Sequence, residues 1–229
     1  MHSVGVDCEK KRLFICCDGT RNNASGTVDP LTNVAKLARA VHRTGDDPYM
    51  IPKKSDVIEH SLSANESKRF GYVRQIVYYS SGVGSRSVLG TDSLYAAAFG
   101  KDAYCFICNN YNGRSKLDEI VLAGFSRGAF TVRCLARFIN DVGLLRRQGL
   151  VFLQTVYGLW ERNAGYTPAR GMLRERWPES YRSLQITLEA LSTGFFTKIE
   201  GGVRIKVLAE WDTVSAMGTM GESVVVRRE

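Results

Sequence analysis

Short apolar runs alternate with amphipathic segments along most of the chain. Four runs have the length of buried strands: residues 12–17, 73–79, 119–125 and 203–211. Between them, apolar residues recur every three or four positions, which is the period of a helix with one buried face. Strands that alternate with helices favour right-handed crossovers and a mostly parallel sheet. The pattern therefore predicts an α/β fold with helices on both faces of the sheet.

The same periodicity locates the helices. Residues 32–43 place their apolar side chains on one face, and Thr32 is a suitable N-cap residue. A helix is predicted over residues 92–111, with an interruption near Gly100. Three further helices are predicted over residues 127–139, 150–162 and 179–191.

The composition fits one soluble domain. The chain has 229 residues, of which 44% are hydrophobic and 24% charged, ordinary values for a globular protein. No apolar stretch approaches the ~20 residues that span a bilayer, and the N-terminus lacks the apolar run of a secretory signal. We therefore expect a cytoplasmic protein whose six cysteines are thiols. Residues 1–11 are expected to be a tail and residues 12–229 a single domain, with a polar excursion at 44–70 and a helical, arginine-rich cap or lid at 140–200.

The net charge of +8 is distributed unevenly. From Arg127 to Arg182 there are ten arginines, no lysine and four acidic residues, so this stretch carries six of the eight net charges. Arginine binds phosphate and carboxylate groups well, which makes a phosphate-bearing partner or an anionic membrane surface one interpretation. The simpler interpretation is that these arginines lie on the solvated faces of helices. No nucleic-acid-binding motif accompanies them.

The best candidate for chemistry is a G-x-S-x-G motif. Gly124-Phe125-Ser126-Arg127-Gly128 joins the third predicted strand directly to a helix. In that setting the glycines permit a sharp, strained turn that exposes the serine beside the N–H groups at the helix start. Ser126 is therefore predicted to be a nucleophile, activated when a base takes its proton. The alternative is a serine that only caps the helix.

A nucleophile of this type needs an acid and then a histidine later in the chain. Asp212 directly follows the fourth predicted strand and would reach the same edge of the sheet as Ser126, although it could also cap a following helix. His2, His42 and His60 all precede Ser126. We therefore expect the histidine to be supplied by sequence that is not present here.

Asp18-Gly19-Thr20 closes the first predicted strand. A phosphatase of the haloacid-dehalogenase type would need an aspartate where Cys16 stands, so that chemistry is set aside. We expect instead that the backbone of Gly19 and Thr20 lies beside Ser126 and that one of its N–H groups joins that of Arg127 in an oxyanion hole. Asp18 would orient this loop or bond to the turn backbone.

Two other motifs give weaker signals. Gly82-Val83-Gly84-Ser85 follows the second predicted strand but lacks the lysine and the third glycine of nucleotide-binding loops, so a wall of the same site is favoured. Cys105 and Cys108 form a C-x-x-C inside a helical pattern with no second pair or nearby histidine, which favours helix packing over zinc or redox chemistry. Neither a metal nor a cofactor is expected.

Six motifs, taken in order, resemble a known family. They are RLFICCDGTRNN, TNVAKLARAV, QIVYYSSGVGS, AAAFGK, EIVLAGFSRGAFTVRCLA and EWDTVSAMG, and they extend over residues 12–218. Together they resemble the α/β-hydrolase-domain family that includes the catalytic domains of bacterial type VI secretion phospholipase effectors and has many fungal members. The resemblance implies an α/β-hydrolase fold with Ser126 as nucleophile, Asp212 as triad acid and the loop from Asp18 to Thr20 at the rim of the site.

The resemblance also implies ester hydrolysis, with phospholipids as the substrates of the bacterial effectors. Arg146, Arg147 and Arg162 would then lie in helices that cover the site and meet an anionic headgroup. Family members continue beyond the W-D-T-V motif to a segment that bears a histidine, whereas this sequence leaves the pattern after Gly218. We therefore expect a fold that is incomplete at its C-terminal end.

Three functions follow, in this order of preference. The first is a serine hydrolase of the esterase or phospholipase type that uses Ser126, Asp212 and a histidine from outside this chain. The second is a catalytically inactive family member that binds a lipid or a protein. The third is a basic protein that binds anionic surfaces through its arginine-rich segment, with an affinity that falls steeply as salt rises.

Overall fold

A five-stranded sheet lies at the centre of the fold in a computed structural model of the chain. The structure describes residues 6–20, 22, 30–47, 71–82, 100–112, 117–163, 166–193, 198–199 and 203–213. The strands of the sheet are β1 (Val6–Cys17), β2 (Thr44–Asp47), β3 (Gly71–Ser80), β4 (Glu119–Phe125) and β7 (Ile205–Trp211). Their order is β2-β3-β1-β4-β7, and β5 (Leu144–Leu145) and β6 (Lys198–Ile199) form a separate pair.

Most strand pairs are parallel. β1 lies between β3 and β4 and is parallel to both, and β4 is parallel to β7. The pairing of β2 with β3 is antiparallel. This mostly parallel sheet confirms the α/β fold class and is consistent with an α/β-hydrolase-like fold.

Helices cover both faces of the sheet. They are α1 (Asn33–Ala40), α2 (Lys101–Asn110), α3 (Arg127–Val142), α4 (Leu153–Arg162) and α5 (Glu179–Thr193), with short 3-10 helices at Arg147–Phe152 and Arg174–Arg176. The larger core cluster joins Leu13 and Ile15 of β1 to α2, α3, α4 and α5. On the other face, Cys16 and Ala123 pack with Val34 of α1. Alternate residues in the carboxyl-terminal part of β1 therefore face two different layers of helices, which explains why residues 13–17 are apolar without interruption.

Some elements begin or end elsewhere than the sequence predicts. The described part of the expected N-terminal tail is strand, because β1 begins at Val6 and pairs with β3 across a register shift between Asp7 and Lys11. α1 ends at Ala40, and α2 occupies residues 101–110, whereas residues 92–99 of that predicted helix lie outside the described residues. Among the helices that the structure describes, none is long and apolar enough to cross a bilayer.

Candidate active site

Ser126 alone connects β4 to α3. Its backbone has φ 54° and ψ −120°, a left-handed φ that residues with a side chain rarely adopt. Among the described non-glycine residues, Ser126 and Asp212 are the two with a positive φ. The strained strand-to-helix turn that the motif predicts is therefore present at Ser126.

The two glycines of the motif permit close contact between three elements. A Cβ atom on Gly124 would lie 2.4 Å from the carbonyl oxygen of Gly128. A Cβ atom on Gly128 would lie 2.1 Å from the carbonyl oxygen of Cys17 and 2.6 Å from that of Asp18. Since real Cβ atoms do not approach backbone this closely, only glycine lets α3 begin directly against the end of β1.

Asp212 stands next to Ser126 at the edge of the sheet. β4 and β7 are parallel neighbours in which Phe125 pairs with Trp211, so the residue after each strand occupies the next position in the register. The Ser126 N–H donates to the carbonyl oxygen of Trp211 at 2.9 Å. Asp212 is exposed and has φ 45°. The structure thus brings the predicted nucleophile and the predicted acid to adjacent positions.

Asp18 is buried and fixes the loop after β1. Its side chain is 3% exposed, and its carboxylate accepts hydrogen bonds from the Gly19 N–H at 2.8 Å, the Thr32 hydroxyl at 2.8 Å and the Tyr79 hydroxyl at 2.6 Å. The three donors come from the loop itself, from the N-cap of α1 and from β3. Asp18 therefore orients the loop and also bonds to the turn backbone. The sequence offered no signal for the Tyr79 contact.

The loop from Asp18 to Thr20 lies directly against the turn at Ser126. A Cβ atom on Gly19 would be 2.6 Å from the Phe125 ring, so the loop backbone touches the residue that precedes Ser126. The first N–H groups of a helix have no intrahelical acceptor, and within the described residues the Arg127 N–H has no backbone acceptor. The Gly19 N–H is already bonded to Asp18.

The second glycine-rich segment packs on this loop. The Gly82 N–H donates to the carbonyl oxygen of Asn22 at 2.9 Å. A Cβ atom on Gly82 would lie 1.5 Å from the carbonyl oxygen of Gly19, so only glycine fits there. The start of the segment therefore lies against the loop that follows β1. Val83, Gly84 and Ser85 lie outside the described residues.

The described cysteines near these elements are buried or half-buried thiols. Burial, with a contribution from the charge of Asp18, raises the pKa of Cys16 and of Cys17 to about 12. Cys105 and Cys108 lie on α2, and burial raises the pKa of Cys108 to about 12. These groups are therefore neutral thiols at physiological pH, and a thiolate is the form that acts as a nucleophile or metal ligand.

Arg146 and Arg147 lie at the opposite end of the sheet, contrary to the expectation that they cover the site. α3 leads away from Ser126 for 16 residues, a distance of about 24 Å. Arg147 then donates to the carbonyl oxygen of Asn109 at 2.9 Å. The next residue of α2, Asn110, accepts a hydrogen bond from Lys11 in the amino-terminal half of β1. A phosphate bound at Ser126 is therefore out of reach of these two arginines.

One contact of the Asp212 turn was not foreseen from the sequence. Glu210 and Thr213 stand on either side of Asp212 along the chain, and both side chains bind Arg133 of α3. Nothing in the spacing of these residues marks them as partners. The turn is thus attached to the same helix that begins beside Ser126.

Comparisons with known proteins agree with this architecture. The family described as the Tle1-like phospholipase effector catalytic domain of type VI secretion systems matches residues 11–228. An uncharacterized protein of the yeast Saccharomyces cerevisiae, YEL023C, is 28% identical over 66% of this chain, and the match spans 21% of that protein's length. No solved structure gives a significant match. Since the family covers nearly the whole chain, including both strained positions, this protein belongs to the Tle1-like phospholipase effector catalytic domain family.

Proposed function

We propose that this protein is a serine hydrolase of the esterase or phospholipase type, with Ser126 as nucleophile and Asp212 as triad acid. One observation carries the proposal: the two non-glycine residues with a left-handed φ in the described chain stand side by side beyond neighbouring parallel strands. Strained backbone persists only where the surrounding structure fixes it, and it clusters at active sites. Membership of a phospholipase family favours a phospholipid ester as substrate.

In the proposed reaction the Ser126 Oγ attacks the ester carbonyl carbon while a base takes its proton. Negative charge develops on the carbonyl oxygen and is stabilised by the N–H groups of Arg127 and Thr20, with help from the positive end of the α3 dipole. Thr20 rather than Gly19 is assigned here because the Gly19 N–H is bonded to Asp18. The alcohol leaves with the proton, and water then hydrolyses the acyl-serine to regenerate the enzyme.

The base in this proposal is a histidine outside the 229 residues. The triad order of serine, acid and histidine places it after Asp212, where this sequence has none. His42 is exposed beyond the end of α1, and His2 and His60 lie outside the described residues. A phospholipid substrate would also bring the protein to an anionic membrane surface, an encounter that a net charge of +8 favours.

A fluorophosphonate probe, which labels activated serines, tests the proposal. We expect the wild-type protein to be labelled, Ser126→Ala to lose the label, and Ser183→Ala on α5 to keep it. A version extended with the coding sequence that follows Glu229 should react about 10²-fold faster or more if it supplies the base. Equal labelling of wild type and Ser126→Ala would refute the assignment of the nucleophile. Absence of label in both versions would favour the non-catalytic lipid-binding or protein-binding function.

A further inference from the structure

We propose that Arg133 is a positioning residue that holds Asp212 in place beside Ser126. This inference rests on the proposed function, because it gives Arg133 a role in the reaction only through the Asp212 carboxylate. Arg133 lies on α3, two helical turns after Ser126. One rigid helix therefore starts at the nucleophile and carries the residue that secures the acid.

A single guanidinium binds both flanks of the Asp212 turn. The Arg133 Nε donates to the two carboxylate oxygens of Glu210 at 3.2 Å each, and its Nη2 forms an ion pair with the same carboxylate. Nη2 also lies 3.5 Å from the Thr213 hydroxyl oxygen, which in turn is 3.3 Å from a Glu210 oxygen. Asp212 lies between these two residues in the sequence, so its backbone is held from before and after.

The turn needs this support because Asp212 is exposed and strained. Its left-handed φ is one that the chain keeps only where neighbouring contacts impose it. The hydrogen bond from the Ser126 N–H to the Trp211 carbonyl oxygen fixes the end of β7, but it does not involve Asp212, which is the next residue. The planar fork of an arginine holds its N–H groups in fixed directions, so it can bind a carboxylate through two nitrogens and also donate to a hydroxyl. The three N–H groups of a lysine all lie on one rotating ammonium group and do not fix that geometry.

The contact is also partly shielded from water. The side chains of Arg133 and Glu210 are 29% and 17% exposed, compared with 48% and 36% for the Arg137–Asp141 pair one turn further along α3. Arg137 therefore provides a matched control: it is an arginine on the same helix, in an ion pair that does not involve the Asp212 turn.

The test measures the rate at which a fluorophosphonate labels Ser126 in folded variants of the version extended past Glu229, in which Asp212 has a base to orient. Arg133→Met should slow labelling by about 10- to 100-fold, the scale expected when a supporting group is misplaced by about 1 Å. Arg133→Lys should recover only part of the rate, and Arg137→Met should label like wild type. In an Asp212→Asn background, Arg133→Met should cause no further loss, because both changes act through the same carboxylate.

Equal slowing by Arg133→Met in the wild-type and Asp212→Asn backgrounds would show a general structural effect and overturn the inference. Labelling that survives Ser126→Ala would instead refute the proposed function.

Hydrogen exchange of the Ser126 amide, which donates its hydrogen bond to Trp211, tests the positioning role without any measurement of reactivity. We expect exchange to be about tenfold faster in Arg133→Met and unchanged in Arg137→Met. Unchanged exchange in Arg133→Met would overturn the inference even if the protein shows no labelling.

Discussion

Asp18 and Asp212 are two carboxylates at the same edge of the sheet with opposite surroundings. Asp18 is buried and accepts three hydrogen bonds, whereas Asp212 is exposed on a strained turn. A buried carboxylate is tolerated only when donors replace its water. The Asp18 carboxylate is therefore occupied in holding the loop, whereas the Asp212 side chain is accessible, as its proposed role of triad acid requires.

This contrast predicts different effects on stability. Asp18→Asn places an amide NH₂ where the hydroxyls of Thr32 and Tyr79 donate, so the free energy of unfolding should fall by about 1–3 kcal/mol. Asp212→Asn should change it by less than about 0.5 kcal/mol, because asparagine tolerates a left-handed φ and the side chain is exposed. Urea unfolding of both variants measures this, and equal losses would contradict the assignment.

The sequence could predict the strained turn at Ser126 but not the hydrogen-bond partners of Asp18. The determinants of the serine turn are local, since the two glycines and the flanking strand and helix all lie within a few residues. The donors to Asp18 are 14 residues away at Thr32 and 61 residues away at Tyr79. Contacts of that kind depend on how strands pair, and no spacing rule in a single sequence expresses them.

The junction of β4 with α3 shows what glycine contributes at the scale of elements. β1, β4 and α3 meet where Gly124 and Gly128 leave no room for a side chain. The closeness of this contact places the loop after β1 beside the start of α3, where both proposed oxyanion donors lie. The junction should therefore be sensitive to one added methyl group.

We expect Gly128→Ala to lower the free energy of unfolding by about 3 kcal/mol, because its Cβ would overlap the carbonyl oxygens at the end of β1. Gly158→Ala in α4 is the control. A Cβ atom there meets nothing within 4 Å, so alanine should stabilise the helix by about 0.5–1 kcal/mol. Urea unfolding should thus shift in opposite directions for the two variants. A Gly128→Ala protein as stable as wild type would disprove the close contact.

Long elements were predictable, and short polar ones were not. The four apolar runs became β1, β3, β4 and β7. The signal is strongest for the central strands β1 and β4, because a strand that is buried on both faces reads as a nearly continuous apolar run. β2 has the sequence TGDD and lies within the expected polar excursion, so its own residues give no strand signal. It forms through backbone pairing with β3 at the edge of the described sheet.

At the scale of the whole molecule, the two ends of the sheet differ in chemistry. The carboxyl ends of the strands carry the candidate site, as expected for an open α/β sheet. The amino ends carry ion pairs. A carboxylate oxygen of Glu119 lies 3.0 Å from the Nζ of Lys10, 2.9 Å from the Nε of Arg12 and 3.6 Å from the Nζ of Lys206. These pairs join β1, β4 and β7. The fold class predicts a site at the carboxyl ends, where Ser126 and Asp212 lie. The clustering of arginines in the sequence did not predict where Arg146 and Arg147 lie.

The cluster around Glu119 gives the fold a pH dependence of defined sign. Burial alone would raise the pKa of Glu119, but hydrogen bonds from Arg12 and Lys10 and their positive charges outweigh it and hold the pKa below its usual value. A carboxyl group whose pKa is lower in the folded state stabilises the fold above its unfolded-state pKa of about 4.3. That contribution is lost as the pH falls through the folded-state pKa.

Glu119→Gln should therefore lower the free energy of unfolding by about 1–2 kcal/mol at pH 7, and the difference from wild type should shrink as the pH is lowered below about 4. Glu189→Gln is the control, because Glu189 pairs with Arg174 at the surface, where the two side chains are 51% and 63% exposed. Removing that pair should cost less than about 1 kcal/mol. Urea unfolding at both pH values measures the two variants together. A difference between Glu119→Gln and wild type that grew towards low pH would have the wrong sign, since it would require the folded state to raise the pKa of Glu119.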